Sequence, residues 1–132
     1  MNVRYVTVEW VIPYHQRVME EQGREAVLMA PEKLAAAVDR PSAEAFGAEA
    51  HPTLAEKAAA LVQGIAIAHP FMDGNKRAAV GAMLSFLQLN GVPLSADEDA
   101  LYDFVIAVTT GELREVEEIA GRLRELFAPH LD

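Results

Sequence analysis

His69-Pro70-Phe71-Met72-Asp73-Gly74-Asn75-Lys76-Arg77-Ala78-Ala79-Val80 joins two apolar segments with helical periodicity, and it carries an imidazole, a carboxylate, a turn and two cations. Pro70 has no amide hydrogen and disfavours the helical region for the residue before it. The segment ending at Ala68 is therefore expected to stop there and leave His69 in a loop. Asp73-Gly74 marks a turn, and the pattern over residues 75–90 reads as a second helix with Gly74, Asn75 and Lys76 at its start.

A helix start presents unpaired amide hydrogens and the positive end of the backbone dipole. Lys76 and Arg77 add two formal charges at that end, so the ligand these residues suit is a polyphosphate rather than a lone carboxylate. Asp73 beside them can hold the magnesium ion that such a ligand brings. An imidazole is the side chain suited to take a proton from a hydroxyl near neutral pH, and His69 stands next to the turn. The set points to transfer of a nucleotide group onto a hydroxyl. Taken singly, each residue has a plainer reading: a histidine at a helix end caps or packs, an aspartate before glycine shapes a turn, and Phe71 plugs the core. For Phe71 the plain reading is preferred. For His69 and Asp73 their company favours chemistry, although the pair alone offers too few ligands for a hydrolytic metal centre.

The chain's 132 residues, 52% of them apolar, leave room for one domain over residues 1–132 with one core. Eleven basic and twenty acidic residues give a net charge of −9, which argues against a nucleic-acid or anionic-membrane partner. With no cysteine, neither disulfides nor thiolate zinc sites are available. The first twelve residues include Glu9 and lack the apolar core of a signal peptide, and no apolar run reaches membrane-spanning length. A cytoplasmic protein is expected.

Working outward, residues 3–6 are an extended lead-in or short strand. Thr7 is a candidate N-cap for a helix over residues 8–22 that buries Val8, Val11, Ile12, His15, Val18 and Met19 and is ended by Gly23. Pro13 within it is expected to bend or break the first turns and has no functional account. His15 reads as a satisfied core residue, His51 and His130 as surface. Pro31 opens a short helix closed by Asp39-Arg40-Pro41. Residues 39–52 read as the least ordered stretch, and the plain reading is a solvated loop with Phe46 folded back onto the core. Thr53-Leu54-Ala55-Glu56 is a capping box for a helix to residue 68, and Ser95-Ala96-Asp97-Glu98 a second for a helix to residue 110. Gly64 and Gly81, with Ala78, Ala79 and Ala82, suggest a close approach of the two helices flanking the loop. A last amphipathic helix spans residues 115–127, with Glu115, Glu117 and Glu118 on a solvated face. The expected fold class is all-α, a compact bundle of about six helices with a possible short N-terminal extended segment or flap hairpin.

The central stretch resembles the active-site motif of the Fic/Doc superfamily, His-x-Phe-x-Asp/Glu-Gly-Asn-x-Arg-x-x-Arg. His69, Phe71, Asp73, Gly74, Asn75 and Arg77 match, Lys76 fills the variable position, and Val80 replaces the final Arg. Both departures are typical of the death-on-curing (Doc) toxin branch, and the resemblance extends over most of the chain. It implies His69 as base, Asp73 as magnesium ligand, and Gly74, Asn75, Lys76 and Arg77 around ATP, with Lys76 and Arg77 stabilising the transferred phosphoryl. A flap near Pro41, Phe46 and His51 would dock the target's backbone. In typical Fic enzymes the last Arg of the motif helps hold the outer phosphates while AMP is transferred. Val80 removes that clamp, and the Doc branch holds ATP in the reverse sense and phosphorylates a threonine of translation elongation factor Tu. The expectation is thus a kinase toxin of a toxin–antitoxin module. AMP transfer to a protein hydroxyl is the alternative, and a non-enzymatic binding module on the same fold a more distant one. No Ser/Thr-x-x-x-Glu-Gly/Asn inhibitory helix is present, so restraint would come from an antitoxin whose tail docks in an apolar groove.

Overall fold

The computed structural model describes residues 2–132. Six α-helices follow along the chain: α1 Val8–Glu21, α2 Pro31–Asp39, α3 Leu54–Ala68, α4 Asn75–Leu89, α5 Glu98–Thr110 and α6 Val116–Leu126. Between α2 and α3 lie a 3-10 turn, Arg40–Ser42, and an antiparallel hairpin of β1 Glu44–Ala45 and β2 Ala48–Glu49. The all-α class holds, and the flap takes the hairpin form. Residues 3–6 form no strand. They are tied instead to the far end of α4, where Asn90 accepts the Arg4 amide at 3.0 Å and donates to the Arg4 carbonyl at 2.8 Å.

The helix at the centre is α3. It packs against α2, α4, α5, α6 and the 3-10 turn. Its sequence explains this position: from Ala55 to Ile65 it is apolar almost all round, and a helix without a polar face has to be enclosed. Ala55, Ala58, Ala59, Ala60, Leu61, Val62 and Ile65 are all buried. Each of the larger three contributes roughly 1.5–3 kcal/mol of burial free energy. The α3 alanines, with Ala78, Ala79 and Ala82 of α4, let the two helices that flank the loop pack together. The glycines serve elsewhere. Gly64 makes room for the Arg40 side chain, and a Cβ at Gly81 would lie 2.3 Å from the Tyr14 ring of α1. Leu89, at the end of α4, is 43% exposed.

Several helix ends differ from expectation. Thr53 accepts from the Glu56 amide at 3.1 Å, but its hydroxyl donates to the Glu56 carboxylate at 2.7 Å, so the capping box is not reciprocal. The α5 cap is Asp97, which accepts from the Ala100 amide at 3.0 Å. Ser95 therefore lies outside the helix, since Asp97 competes for the same role two residues on. The capping box passed over in the sequence is at α6, where Glu118 accepts the Glu115 amide. Pro13 sits inside a continuous α1, at an exposed position where only the hydrogen bond it could have donated is lost. Lys57 is buried, with Nζ donating to the Pro41 carbonyl at 3.2 Å and to Glu49 at 2.9 Å, and so ties the hairpin's base to α3.

Candidate active site

The loop between α3 and α4 is fixed from three sides. At its start His69 is the α3 C-cap in the left-handed region, φ 52° and ψ 53°, with its amide donating to the Ile65 carbonyl at 3.1 Å. This conformation is costly for a residue with a Cβ, and such strain persists where surrounding contacts enforce it. One set of contacts comes from residues 27–30, in the segment between α1 and α2. Met29 and Ala30 donate to the Pro70 carbonyl at 2.9 and 3.0 Å, Met72 donates to the Val27 carbonyl at 3.0 Å, and Leu28 bridges Phe71. The second set is internal. Buried Asn75 accepts the Phe71 amide at 2.9 Å and donates to the Phe71 carbonyl at 2.8 Å. Its side chain, expected among the nucleotide contacts, is thereby committed to the loop, and what Asn75 offers a ligand is its backbone amide.

The third side is α1. His15 is 1% exposed, stacks on Phe71 with ring centroids 3.7 Å apart, and donates from Nε2 to the Asp73 carbonyl at 2.7 Å. His15 is indeed a satisfied core residue, and it holds the loop between α3 and α4. Gly74 has φ +79°, and a Cβ there would lie 2.8 Å from the Met19 sulfur and 3.1 Å from His15 Nε2. Gly74→Ala therefore meets both backbone strain and overpacking, together roughly 2–4 kcal/mol. Thermal or urea unfolding of this variant is expected to show that loss, and a cost under about 1 kcal/mol would mean that α1 yields at the loop.

Asp73 Oδ1 accepts the Gly74 amide at 2.8 Å, and Oδ2 pairs with the Arg24 guanidinium. The Gly74 amide first, and Arg24 second, hold the Asp73 carboxyl below the usual carboxylate range. The folded-state pKa is depressed, so what these contacts add to stability is present above the unfolded-state pKa. It is lost as pH falls through the folded value. A 13C titration of Asp73 is expected to show a midpoint below the ordinary one, and Arg24→Gln should raise it only part of the way, because the Gly74 bond remains. Arg24 was missed in the sequence. Gly23 signals only that α1 ends, and nothing local reveals a partner 49 residues on.

His69, Asp73, Gly74, Asn75, Lys76 and Arg77 line one cleft of about 340 Å³, together with Gln22 and Met72. His69, Asp73, Lys76 and Arg77 are exposed to it. No side chain caps the start of α4, which leaves its first amides facing this end of the loop. Lys76 and Arg77 also border a second, apolar groove of about 430 Å³ between α1, α4 and α5, lined by Val80, Gly81, Leu84 and Tyr102 among others. Position 80 thus faces an apolar surface. Among the described residues no three His, Asp or Glu side chains form a ready-made metal site. One carboxylate beside an uncapped helix start would fit magnesium if a phosphate ligand and water supplied the rest of its shell.

The flap residues are not brought to this cleft. Pro41 is buried beneath Lys57, and Phe46 stands fully exposed at the hairpin turn with φ 54° rather than folded onto the core. His51 lies near Arg40, Glu56, Lys57 and Glu117, and burial followed by the Arg40 charge holds its imidazole below the ordinary value. Met29 is likewise 64% exposed, and Met72 is 59% exposed.

The sequence pattern of the Fic/DOC family matches residues 5–87, which include the whole loop, α3 and α4 as far as Leu87. The chain belongs to the Fic/Doc family. It is 53% identical over 92 residues to Toxin Doc of Mycolicibacterium smegmatis (strain ATCC 700084 / mc(2)155), covering 68% of this chain and 70% of that protein. It is also 30% identical over 125 residues to Protein kinase doc of Escherichia phage P1, covering 95% and 97%. These relatives place it in the Doc branch of the Fic/Doc family, as Lys76 and Val80 lead one to expect. The relatives' match ties the loop geometry described above to a Fic/Doc scaffold.

Proposed function

We propose that this protein is a Doc-type toxin, a cytoplasmic protein kinase that transfers the γ-phosphate of ATP to a threonine of translation elongation factor Tu and so blocks translation. The observation that carries the reading is the single cleft in which an exposed imidazole, a carboxylate and two cations surround an uncapped helix start. The kinase name of one relative agrees with it.

In this mechanism the target hydroxyl approaches His69, whose unprotonated ring nitrogen accepts its proton. The threonine oxygen forms a bond to the γ-phosphorus as the bond from that phosphorus to the bridging oxygen breaks, and ADP leaves with that electron pair. The backbone amides of Asn75 and Lys76, with the Lys76 and Arg77 side chains, stabilise charge on the equatorial oxygens. Asp73 would hold magnesium, which supplies charge neutralisation across the phosphates. The apolar lining at Val80 supports phosphoryl over AMP transfer, because α4 has no cation there to grip the outer phosphates as a leaving group.

Restraint by an antitoxin fits the same molecule. The groove of about 430 Å³ between α1, α4 and α5 is apolar, has Tyr14 and Tyr102 at its walls, and reaches Lys76 and Arg77. An amphipathic antitoxin segment seated there would cover the cations that the nucleotide needs. The deciding test uses the full chain with purified elongation factor and ATP labelled at either the γ- or the α-phosphorus. Label is expected in the target from the γ-position only, and labelling from the α-position would establish AMP transfer instead.

A further inference from the structure

Arg24 is placed by a built device. At the end of α1 the Gly23 amide donates to the Glu20 carbonyl at 2.9 Å and the Arg24 amide to the Met19 carbonyl at 2.9 Å, with Gly23 at φ +66°. That paired bonding closes the helix and fixes the direction of the chain after it. The same turn of α1 supplies Met19 under Gly74, while His15 one turn earlier holds the Asp73 carbonyl. Arg24 therefore leaves a rigid shelf directly beneath the loop, and its guanidinium reaches Asp73 Oδ2.

Asp73 has two carboxylate oxygens, and Oδ1 is already engaged by the Gly74 amide. A metal can take Oδ2 without disturbing the Gly74 bond, and Oδ2 is the oxygen that Arg24 holds. The ion pair is exposed, with 59% and 49% of the two side chains accessible, and pairs of this kind are weakly held and readily exchanged. Once a divalent cation takes Oδ2, the guanidinium must find another anion, and the nearest is the phosphate chain. Position 80 cannot provide a third cation, since Val80 faces the apolar groove, so the loop's own helix contributes only Lys76 and Arg77.

We infer that Arg24 is a phosphate ligand supplied from α1, resting on Asp73 in the nucleotide-free protein and passing to the nucleotide's phosphates when magnesium takes the carboxylate. This rests on the proposed reading of the cleft as a magnesium–nucleotide site. Arginine suits the role because its planar fork accommodates carboxylate and phosphate oxygens alike.

The test is calorimetric binding of the magnesium complex of a non-hydrolysable ATP analogue to the full chain, wild type beside Arg24→Gln and Arg24→Lys, with melting curves to confirm folding. Loss of one charge-assisted contact is expected to weaken binding by about tenfold or more in Arg24→Gln, with a smaller loss in Arg24→Lys, which keeps the charge but not the fork. In the wild type the Arg24 side-chain 15N–1H signal should move when magnesium and analogue are added together, and in Asp73→Asn it should start displaced from its wild-type position. Equal affinity of wild type and Arg24→Gln would overturn the inference and leave the nucleotide site standing. A wild type that binds no magnesium–nucleotide complex would sink the underlying reading, and this one with it.

Discussion

His69→Ala is expected to slow phosphoryl transfer roughly 10²–10⁴-fold while leaving the fold intact. The side chain is exposed at the end of α3, and the bond that closes the helix is made by its backbone amide, which alanine retains. Alanine also keeps the left-handed strain at this position, so the melting temperature should move little. His69→Gly gives a sharper separation, because glycine adopts φ 52° without the cost borne by a residue with a Cβ. That variant should be inactive yet no less stable than the wild type. Transfer surviving in both variants at more than a tenth of the wild-type rate would remove His69 from the chemistry.

The second large effect is expected at Asn75. Truncation to alanine leaves the Phe71 amide and carbonyl without their partners beneath the loop, where no water-exposed alternative is at hand. The cost is roughly 2–4 kcal/mol, or about 10 °C in melting temperature for a domain of this size. Transfer should fall with it, since Phe71 sets the spacing between His69 and Asp73. Asn75→Asp is the instructive companion. Its carboxylate can still accept the Phe71 amide but cannot donate to the carbonyl, so it should be no more stable than alanine. A stable, active Asn75→Ala protein would show that the contacts from residues 27–30 suffice to shape the loop.

Much of this was legible in the chain itself because local chemistry decides it. Pro70 and Gly74 punctuate the loop, apolar periodicity yields the helices, and Pro31 does open α2 as its missing amide allows. Where two residues compete for one local role, the reading erred: Asp97 rather than Ser95 caps α5, and Glu56 turned to the Thr53 hydroxyl. What the sequence could not show was partnership across the fold. Gly64 and Gly81 looked like one close helix contact and prove to be two separate sockets, for Arg40 and Tyr14. The roles of His15, Arg24 and residues 27–30 in the site depend on packing between segments 40 to 60 residues apart, which no window along the chain records. The side chain of Asn75 belongs to the same class, since a motif position says that a residue matters but not whether it touches ligand or loop.

The hairpin turn at Phe46 is flanked by two attachments to one residue: the Pro41 carbonyl before it and the Glu49 carboxylate after it both hold the Lys57 ammonium. A chymotrypsin-like protease meeting the exposed Phe46 ring would therefore cut a chain whose two pieces are already fastened to the same helix. Residues 1–46 and 47–132 should remain together after nicking. Produced separately as harmless halves, they should reconstitute the protein when mixed.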